Sequence, residues 1–159
     1  MKNVNLIVDA INIATKAHKG QYRKSKDING DMIEFITHPI EVSKIANDLS
    51  EKYDVDLETI SIAAILHDTI EDTHITYNDI KGKFGKEIAD IVKTVTNETK
   101  KPYMEFIKDI IDNGSREALV VKVADITHNM STGKGVISNH KYSKWSKALI
   151  MLKDLLKRD

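Results

Sequence analysis

The segment between Asp56 and Asp72 constrains the fold more than any other part of the sequence. Asp56 is a residue type that caps helices, and the segment after it has apolar residues on nearly every side of a helix. These apolar residues are Leu57, Ile60, Ala63, Ala64, Leu66 and Ile70. A helix that is apolar on most sides must be surrounded by other elements. The segment therefore predicts a central helix in a larger helical assembly.

Apolar residues recur at three- and four-residue steps through most of the chain, which indicates further helices. One of them is predicted to start at His38-Pro39, because proline suits the first helical position and Glu41 is spaced to reach back to the exposed amides. The other predicted helices span about 4–18, 76–84, 88–95, 102–113, 115–126 and 141–157. The polar stretch 20–37 contains no convincing pair of strands. We therefore predict an all-α fold, a compact helical bundle in which residues 1–159 form a single domain.

Composition narrows the class of protein. Hydrophobic residues make up 41% of the chain and charged residues 30%, a balance typical of globular domains. The 24 basic residues equal the 24 acidic ones, so we expect no nucleic-acid partner. The chain has no cysteine, which excludes disulfides and thiolate zinc sites. Because no apolar run is long enough to cross a bilayer and no signal peptide is evident, we expect a cytoplasmic protein without membrane contact. Oligomeric state stays open.

Ionisable residues interrupt the most apolar helices of this sequence. His67, Asp68, Glu71 and Asp72 directly follow the apolar run Ile62–Leu66. If the helix continues, His67 and Glu71 share one face, as do Asp68 and Asp72. Burying a carboxylate without a partner costs on the order of several kcal/mol of folding free energy. A bound cation would offset this cost. The pattern therefore favours a metal site.

Two other segments offer matching ligand types. Asp125 ends the apolar run that begins at Leu119, and His38 stands at a predicted helix start. With His67 and Asp68, they give two imidazoles and two carboxylates, a set suited to Mn²⁺, Fe²⁺, Co²⁺ or Zn²⁺. Four protein ligands would leave positions on an octahedral ion for water and a phosphate oxygen, as metal-assisted phosphoester hydrolysis requires.

Several ordered motifs resemble one known family. The order His38, His67-Asp68, Asp125 is similar to the H…HD…D pattern of the HD superfamily. Four longer segments resemble the hydrolase domain of RelA/SpoT homologues. They are 17–25 (AHKGQYRKS), 37–40 (THPI), 67–73 (HDTIEDT) and 121–130 (VKVADITHNM), with motif residues falling within 18–129.

This resemblance implies a function and a set of site residues. It implies hydrolysis of the alarmones guanosine tetra- and pentaphosphate (ppGpp and pppGpp) to GDP or GTP and pyrophosphate. It also implies Mn²⁺ as cofactor, other divalent transition metals being possible, and a water activated by the metal. The implied metal ligands are His38, His67, Asp68 and Asp125, and the implied catalytic acids are Glu71 and Asp72. The implied substrate-binding residues are Arg23, Lys24, Ser25, Asn129 and Tyr142.

Other interpretations of these residues stay open at this point. Segment 26–35 is longer and more acidic than in the family, so the substrate could be another phosphorylated nucleotide or a dinucleotide cofactor. A nucleotide-binding sensor without catalysis is a third possibility. Arg23 and Lys24 could lie in a solvated loop, Glu71 and Asp72 could cap a turn, and Asn129 could bond to the backbone of its own helix. We expect no ligand role for His18, His74, His128 or His140, and only packing roles for Tyr22, Tyr103 and Trp145.

Overall fold

A computed structural model describes residues 4–158, which form nine helices and two short strands. The helices are α1 (Val4–Ala17), α2 (Thr37–Tyr53), α3 (Leu57–Leu66), α4 (Thr69–Asp72), α5 (Tyr77–Phe84), α6 (Lys86–Thr94), α7 (Tyr103–Asn113), α8 (Arg116–Gly133) and α9 (Asn139–Leu156). The strands are β1 (Tyr22–Lys26) and β2 (Met32–Glu34). No helix within residues 4–158 combines the length and the apolar character needed to span a membrane.

Helix α3 occupies the centre of the fold, as its composition predicted. Every residue from Ile60 to Leu66 is buried, and α3 packs against α1, α2, α6 and α8. Asp56 caps it by accepting a hydrogen bond from the Thr59 amide at 2.9 Å. Because α3 is enclosed on all sides, the groups at its C-terminal end lie inside the protein. The prediction of an all-α helical bundle is confirmed, apart from one small hairpin.

That hairpin corrects the expectation that stretch 20–37 holds no strand pair. Strands β1 and β2 pair antiparallel, with Tyr22 opposite Glu34 and Lys26 opposite Met32. Asp27 builds the turn, because its Oδ1 accepts from the amides of Asn29 and Asp31 at 2.9 and 2.8 Å. The hairpin is largely exposed, so its sequence carries none of the apolar alternation that marks a half-buried strand.

Side chains at two other helix ends also differ from expectation. Helix α2 begins at Thr37, one residue before the predicted start at His38, and its N-cap residue Ile36 makes no side-chain cap. Glu41 therefore does not reach back to the exposed amides as expected. Its carboxylate instead contacts Lys44 Nζ one turn further along, at 3.2 Å. The last helix begins at Asn139, slightly earlier than predicted, because the Ser138 side chain caps it through the Lys141 amide.

The central helix ends at Leu66 instead of continuing through the acidic residues. His67 Nδ1 bonds to the Ala64 carbonyl at 2.6 Å, and Thr69 Oγ1 donates to the Leu66 carbonyl at 2.7 Å. These side chains satisfy carbonyls that a continuing helix would have used. The chain then turns into the short helix α4. His67 and Asp68 therefore lie at a bend between two helices.

Candidate metal centre and adjoining cavities

Four side chains from three distant segments converge at the end of α3. His38 Nε2 lies 3.0 Å from Asp125 Oδ1 and 3.5 Å from Asp68 Oδ2. His67 Nε2 lies 3.0 Å from Asp68 Oδ2 and 3.4 Å from Asp125 Oδ1. We call these four residues the four-residue cluster. The sequence predicted this group of metal ligands, and the fold brings all four together.

Each member of the cluster is held by a different element. His38 lies in the first turn of α2, Asp125 in the middle of α8, and His67 and Asp68 at the bend between α3 and α4. Helices α2 and α8 both pack against α3. His38, His67 and Asp125 are buried, whereas Asp68 is partly accessible. The cluster is therefore rigidly placed and open on the side of Asp68.

The hydrogen bonds of His67 leave one nitrogen free to bind a cation. Since His67 Nδ1 donates to the Ala64 carbonyl, the neutral ring carries a lone pair on Nε2. That lone pair faces the carboxylate oxygens of Asp68 and Asp125 at 3.0 and 3.4 Å. Three such electron-rich atoms are stable at these distances only with a proton or a metal ion among them. The ligand atoms of His38, His67 and Asp68 all lie within 4.8 Å of one another, a spacing suited to one metal ion.

Without a metal, the pKa of His67 responds to the nearby carboxylates. Burial favours the neutral ring, but Asp68 and Asp125 outweigh burial and raise the pKa of His67 well above its usual value. The same ion pairing outweighs burial at Asp68 and lowers the pKa of that carboxyl. His67 therefore holds a proton where a divalent cation would bind. Metal binding would release that proton.

His38 is oriented by His128, for which we expected no role. The Nδ1 atoms of the two rings lie 2.7 Å apart. Burial, together with the neighbouring His38 and Arg23, lowers the pKa of His128 to about 4, so His128 is neutral and can accept the proton of His38 Nδ1. A metal ion bound to His38 Nε2 would select this tautomer, whereas in the metal-free protein the 3.0 Å contact between His38 Nε2 and Asp125 Oδ1 requires a proton between the two atoms. The position of His128 three residues after a ligand, on the same helix face, was the available sequence signal.

The second oxygen of Asp125 is bound by a buried lysine. Lys122 Nζ lies 2.9 Å from Asp125 Oδ2 and 5.4 Å from the centre of the Phe106 ring. Asn129 Nδ2 donates to Asp125 Oδ1 at 3.0 Å. Burial opposes ionisation, but Lys122 and the two histidines of the cluster hold the pKa of Asp125 well below its usual range. Asp125 is therefore an oriented carboxylate, with Oδ1 directed into the cluster.

We expect Lys122→Met to destabilise the metal-free protein by about 3 kcal/mol, because it leaves a buried carboxylate without its cation. This is near the lower end of the range for broken buried pairs, since the His67 imidazolium still faces Asp125. Urea unfolding measures the change. Lys44→Met is the matched control: its pair with Glu41 is exposed, so the effect should stay below about 1 kcal/mol. Equal effects of both substitutions would contradict this account of Asp125.

Glu71 and Asp72, the predicted catalytic acids, lie in α4 beside the cluster. Carboxylate oxygens of Asp68, Glu71 and Asp72 lie within 4.8 Å of one another. One oxygen of Glu71 accepts from the Asn97 amide at 2.9 Å, which fixes Glu71 to the loop between α6 and α7. No hydrogen bond to the Asp72 carboxylate occurs within residues 4–158, so this carboxylate can take part in proton transfer.

Two side chains from the turn after α1 hold the backbone at Asp72. Gln21 Nε2 donates to the Asp72 carbonyl at 2.9 Å, and Gln21 Oε1 lies 2.8 Å from His18 Nδ1. The His18 ring packs on Phe35, with centroids 4.7 Å apart. His18 is thus a structural histidine, as expected. It supports the segment that carries the acids.

We expect the Asp72 carboxyl of the metal-free protein to titrate at about pH 6, against an ordinary value of 3.8, because burial and then Asp68 and Glu71 raise its pKa. Carbon-13 NMR of the side-chain carboxyl measures this. Glu71→Gln removes one negative neighbour and should lower the midpoint. Since the folded state holds this proton more tightly than the unfolded state, this carboxyl should reduce stability as pH rises from about 4 to about 6. A midpoint near 4 would contradict this description of Asp72.

Two adjoining cavities open beside the cluster. The first cavity, of about 330 Å³, is lined by three cluster residues, both acids and Lys122. The second cavity, of about 250 Å³, is lined by Tyr22, Arg23, Lys24, Ser25 and apolar residues of the α8–α9 connection. Both cavities are lined by Arg23, Phe35, Asn129, Lys141 and Trp145. Together they form one site, charged near the cluster and more apolar beyond it.

Arg23 lies where the two cavities meet. Its guanidinium donates to Asn129 Oδ1 at 3.0 Å and to Thr132 Oγ1 at 3.1 Å, and lies 5.8 Å from the centre of the Phe35 ring. Because Asn129 also donates to Asp125, a chain of hydrogen bonds joins Arg23 to the cluster. Arg23 and Lys24 therefore line the site and are not only a solvated loop. Asn129 thus uses its side chain for Arg23 and for the Asp125 carboxylate one turn earlier in α8, not for the backbone of that helix.

The two remaining residues predicted to bind substrate, Ser25 and Tyr142, line different cavities. Ser25 lines the second cavity with Lys24, whereas Tyr142 lines a separate cavity near Lys134. Its neighbours Lys141 and Trp145 line the main site instead. Trp145 was expected only to pack, and nothing in its sequence context distinguishes it from a core aromatic residue. Within the described chain, none of residues 26–34 lines either cavity, whereas Phe35 lines both.

Comparisons with known proteins agree with this geometry. The model of the HD domain family matches residues 35–130. The chain is 34% identical over 128 residues to the guanosine-3′,5′-bis(diphosphate) 3′-pyrophosphohydrolase MESH1 of Xenopus tropicalis, covering 79% of this chain and 68% of that protein. It is 35% identical over 135 residues to the bifunctional (p)ppGpp synthase/hydrolase SpoT of Escherichia coli strain K12, covering 76% of this chain. The match spans only 17% of SpoT.

Solved structures share the fold. One, described as a metazoan orthologue of SpoT that hydrolyses ppGpp, superposes with a TM-score of 0.75 at 24% identity, covering 99% of this chain and 89% of that chain. The Listeria monocytogenes protein lmo0812 superposes with a TM-score of 0.54, covering 76% of this chain and 91% of that chain. The overall arrangement of helices is therefore one already seen in solved structures.

Proposed function

Because this chain belongs to the HD-domain family, we propose that it is a manganese-dependent hydrolase that removes pyrophosphate from the 3′ position of ppGpp or pppGpp. The relatives named as guanosine-3′,5′-bis(diphosphate) 3′-pyrophosphohydrolases support this substrate. The observation that carries the proposal is the four-residue cluster at the floor of a cavity that also contains two acids.

The donor set of the cluster fits a divalent transition metal. His38, His67, Asp68 and Asp125 would hold the ion through two imidazole nitrogens and two carboxylate oxygens, a combination suited to Mn²⁺. Their ligand atoms already face one another at 3.0 to 3.5 Å. When bound, the ion would lower the pKa of a water molecule and withdraw charge from a phosphoryl oxygen.

The residues of this chain then have separate tasks in hydrolysis. The Asp72 carboxylate accepts a proton from the attacking water, a task suited to a group whose pKa is about 6. Glu71, held by the Asn97 amide, fixes the position of that water with its other oxygen. The oxygen of that water forms a bond to the phosphorus on the 3′ oxygen while the bond between this phosphorus and the 3′ oxygen breaks. The proton taken up by Asp72 can then pass to the 3′ oxygen, so that pyrophosphate and a nucleotide with a free 3′-hydroxyl are released.

The second cavity is suited to the purine base. Arg23 can stack on an aromatic ring while its charge attracts phosphate. Trp145, Val136 and Ile137 supply apolar surface in the same cavity. Lys24 and Ser25 line it as polar groups. Asn129 lines both cavities and would contact the nucleoside between base and phosphates. Tyr142 would have to move from its present cavity to contact the nucleotide.

Purified protein tests this proposal directly. Metal-free protein is incubated with ppGpp, with and without Mn²⁺, and pyrophosphate and GDP are measured. We expect both products in equal amounts only when Mn²⁺ is present. A panel with nucleoside 3′-monophosphates, a 2′-phosphorylated dinucleotide cofactor and ppGpp compares the substrates. Faster turnover of another substrate would replace the alarmone assignment, and binding without turnover of any substrate would indicate a sensor.

A further inference from the structure

Two tyrosine hydroxyls, at Tyr53 and Tyr103, are buried without a hydrogen-bond partner among the described residues. A buried hydroxyl that makes no hydrogen bond lowers stability, so each such group calls for a physical reason. Tyr53 ends α2 and lines neither cavity of the site. Tyr103 differs, because it lines the first cavity together with His38, Asp68 and Asp125.

Tyr103 lies on the charged side of that cavity. It is the first residue of α7, which directly follows the loop that the Asn97 amide ties to Glu71. Burial raises the pKa of Tyr103 to about 12, with Lys122 and Asp125 close enough to act on it electrostatically. The hydroxyl therefore stays protonated at neutral pH and is a neutral donor.

We propose that the Tyr103 hydroxyl donates a hydrogen bond to the diphosphate group that this enzyme removes, and so contributes to binding the leaving pyrophosphate. This inference rests on the proposed function. It assigns to the diphosphate a residue that the sequence predicted only to pack. The ligand class follows from the cavity, which is lined by three residues of the four-residue cluster, by Lys122 and by Tyr103. The Tyr103 hydroxyl is buried behind this lining, so a small rotation of the side chain would bring it to the diphosphate.

No group within residues 4–158 bonds to the Tyr103 hydroxyl, which supports this role. The Tyr77 hydroxyl, by contrast, donates to Asp90 Oδ1 at 2.7 Å. Of the two buried hydroxyls without a partner, only that of Tyr103 belongs to a residue that lines the first cavity. A neutral donor also suits this place, because it binds a phosphate oxygen without competing with the metal for the carboxylates. The unused hydrogen bond of Tyr103 thus becomes available for binding when the diphosphate enters.

The test compares Tyr103→Phe with Tyr53→Phe in Mn²⁺-loaded protein. Both variants lose one unpartnered hydroxyl, so both should unfold at the wild-type temperature or slightly above it. Only Tyr103→Phe should raise KM for ppGpp and the inhibition constant of inorganic pyrophosphate, each by about 10-fold or more, as expected for one hydrogen bond to a charged group. Inhibition by GDP and the affinity for Mn²⁺ should not change.

The outcomes separate this inference from the proposed function. If the wild type releases pyrophosphate from ppGpp, but Tyr103→Phe matches it in KM and in pyrophosphate inhibition, the inference is wrong while the function stands. A lower unfolding temperature for Tyr103→Phe than for Tyr53→Phe would indicate a structural role and also overturn it. If the wild type itself does not cleave ppGpp, the proposed function fails first.

Discussion

Asp68→Asn is expected to reduce ppGpp hydrolysis by at least about 10³-fold, because a catalytic metal supplies several kcal/mol of transition-state stabilisation. The amide keeps the size of the side chain but loses the negative charge that faces His67 Nε2 at 3.0 Å. Two neutral imidazoles and one carboxylate would then hold the ion, so its affinity should fall as well. Titration calorimetry with Mn²⁺ and an assay of released pyrophosphate measure the two losses.

Asp9→Asn is the matched control for this substitution. Asp9 lies in α1 and pairs with Lys83 at 2.8 Å, and it lines neither cavity of the site. The same chemical change should leave hydrolysis and Mn²⁺ affinity at wild-type levels. If Asp68→Asn kept more than a tenth of wild-type activity, the four-residue cluster would not be the catalytic metal site.

Asp72→Asn is expected to lower kcat by about 10²- to 10⁴-fold, the usual contribution of a general base, with little change in Mn²⁺ affinity. An amide at this position cannot accept a proton from water, although it fills the same space. The metal ligands and the Gln21 contact to the Asp72 backbone both remain. Initial rates at saturating ppGpp, measured with calorimetry of Mn²⁺ binding, separate loss of catalysis from loss of the metal.

Glu71→Gln makes the comparison sharper. A glutamine at position 71 can still accept the Asn97 amide through its side-chain oxygen, so the loop between α6 and α7 should stay in place. We expect a smaller fall in kcat than for Asp72→Asn. If Glu71→Gln caused the larger fall, the roles of the two acids would be reversed.

The sequence was sufficient for the elements whose local pattern matches their environment. Helix α3 is apolar on nearly all sides, and only a central position could satisfy such a surface. Its cap at Asp56, the cap of α8 at Ser115 and the end of α7 before Gly114 all depend on residues a few positions apart. Such short-range interactions can be recognised without knowing how the chain folds.

The exposed hairpin and the bend at His67 are different cases. The hairpin is built from polar residues and an aspartate turn, so no hydrophobic period marks it. At the bend, the side chains of His67 and Thr69 bond to carbonyls at the end of α3, in competition with the backbone amides that would continue the helix. A helix pattern in the sequence does not reveal that competition, because it lies in the side-chain geometry.

For the site, the sequence by itself determined which chemical groups are available: two imidazoles, several carboxylates and one arginine, in an order typical of a known family. Only the tertiary structure decided which of them meet and which groups orient them. His128 beside His38, Lys122 on the second oxygen of Asp125, and Trp145 in the shared wall of the cavities all depend on how α2, α8 and α9 pack. The physical reason is that ligand types are a local property of the chain, whereas their distances and pKa values arise from contacts between residues far apart in sequence.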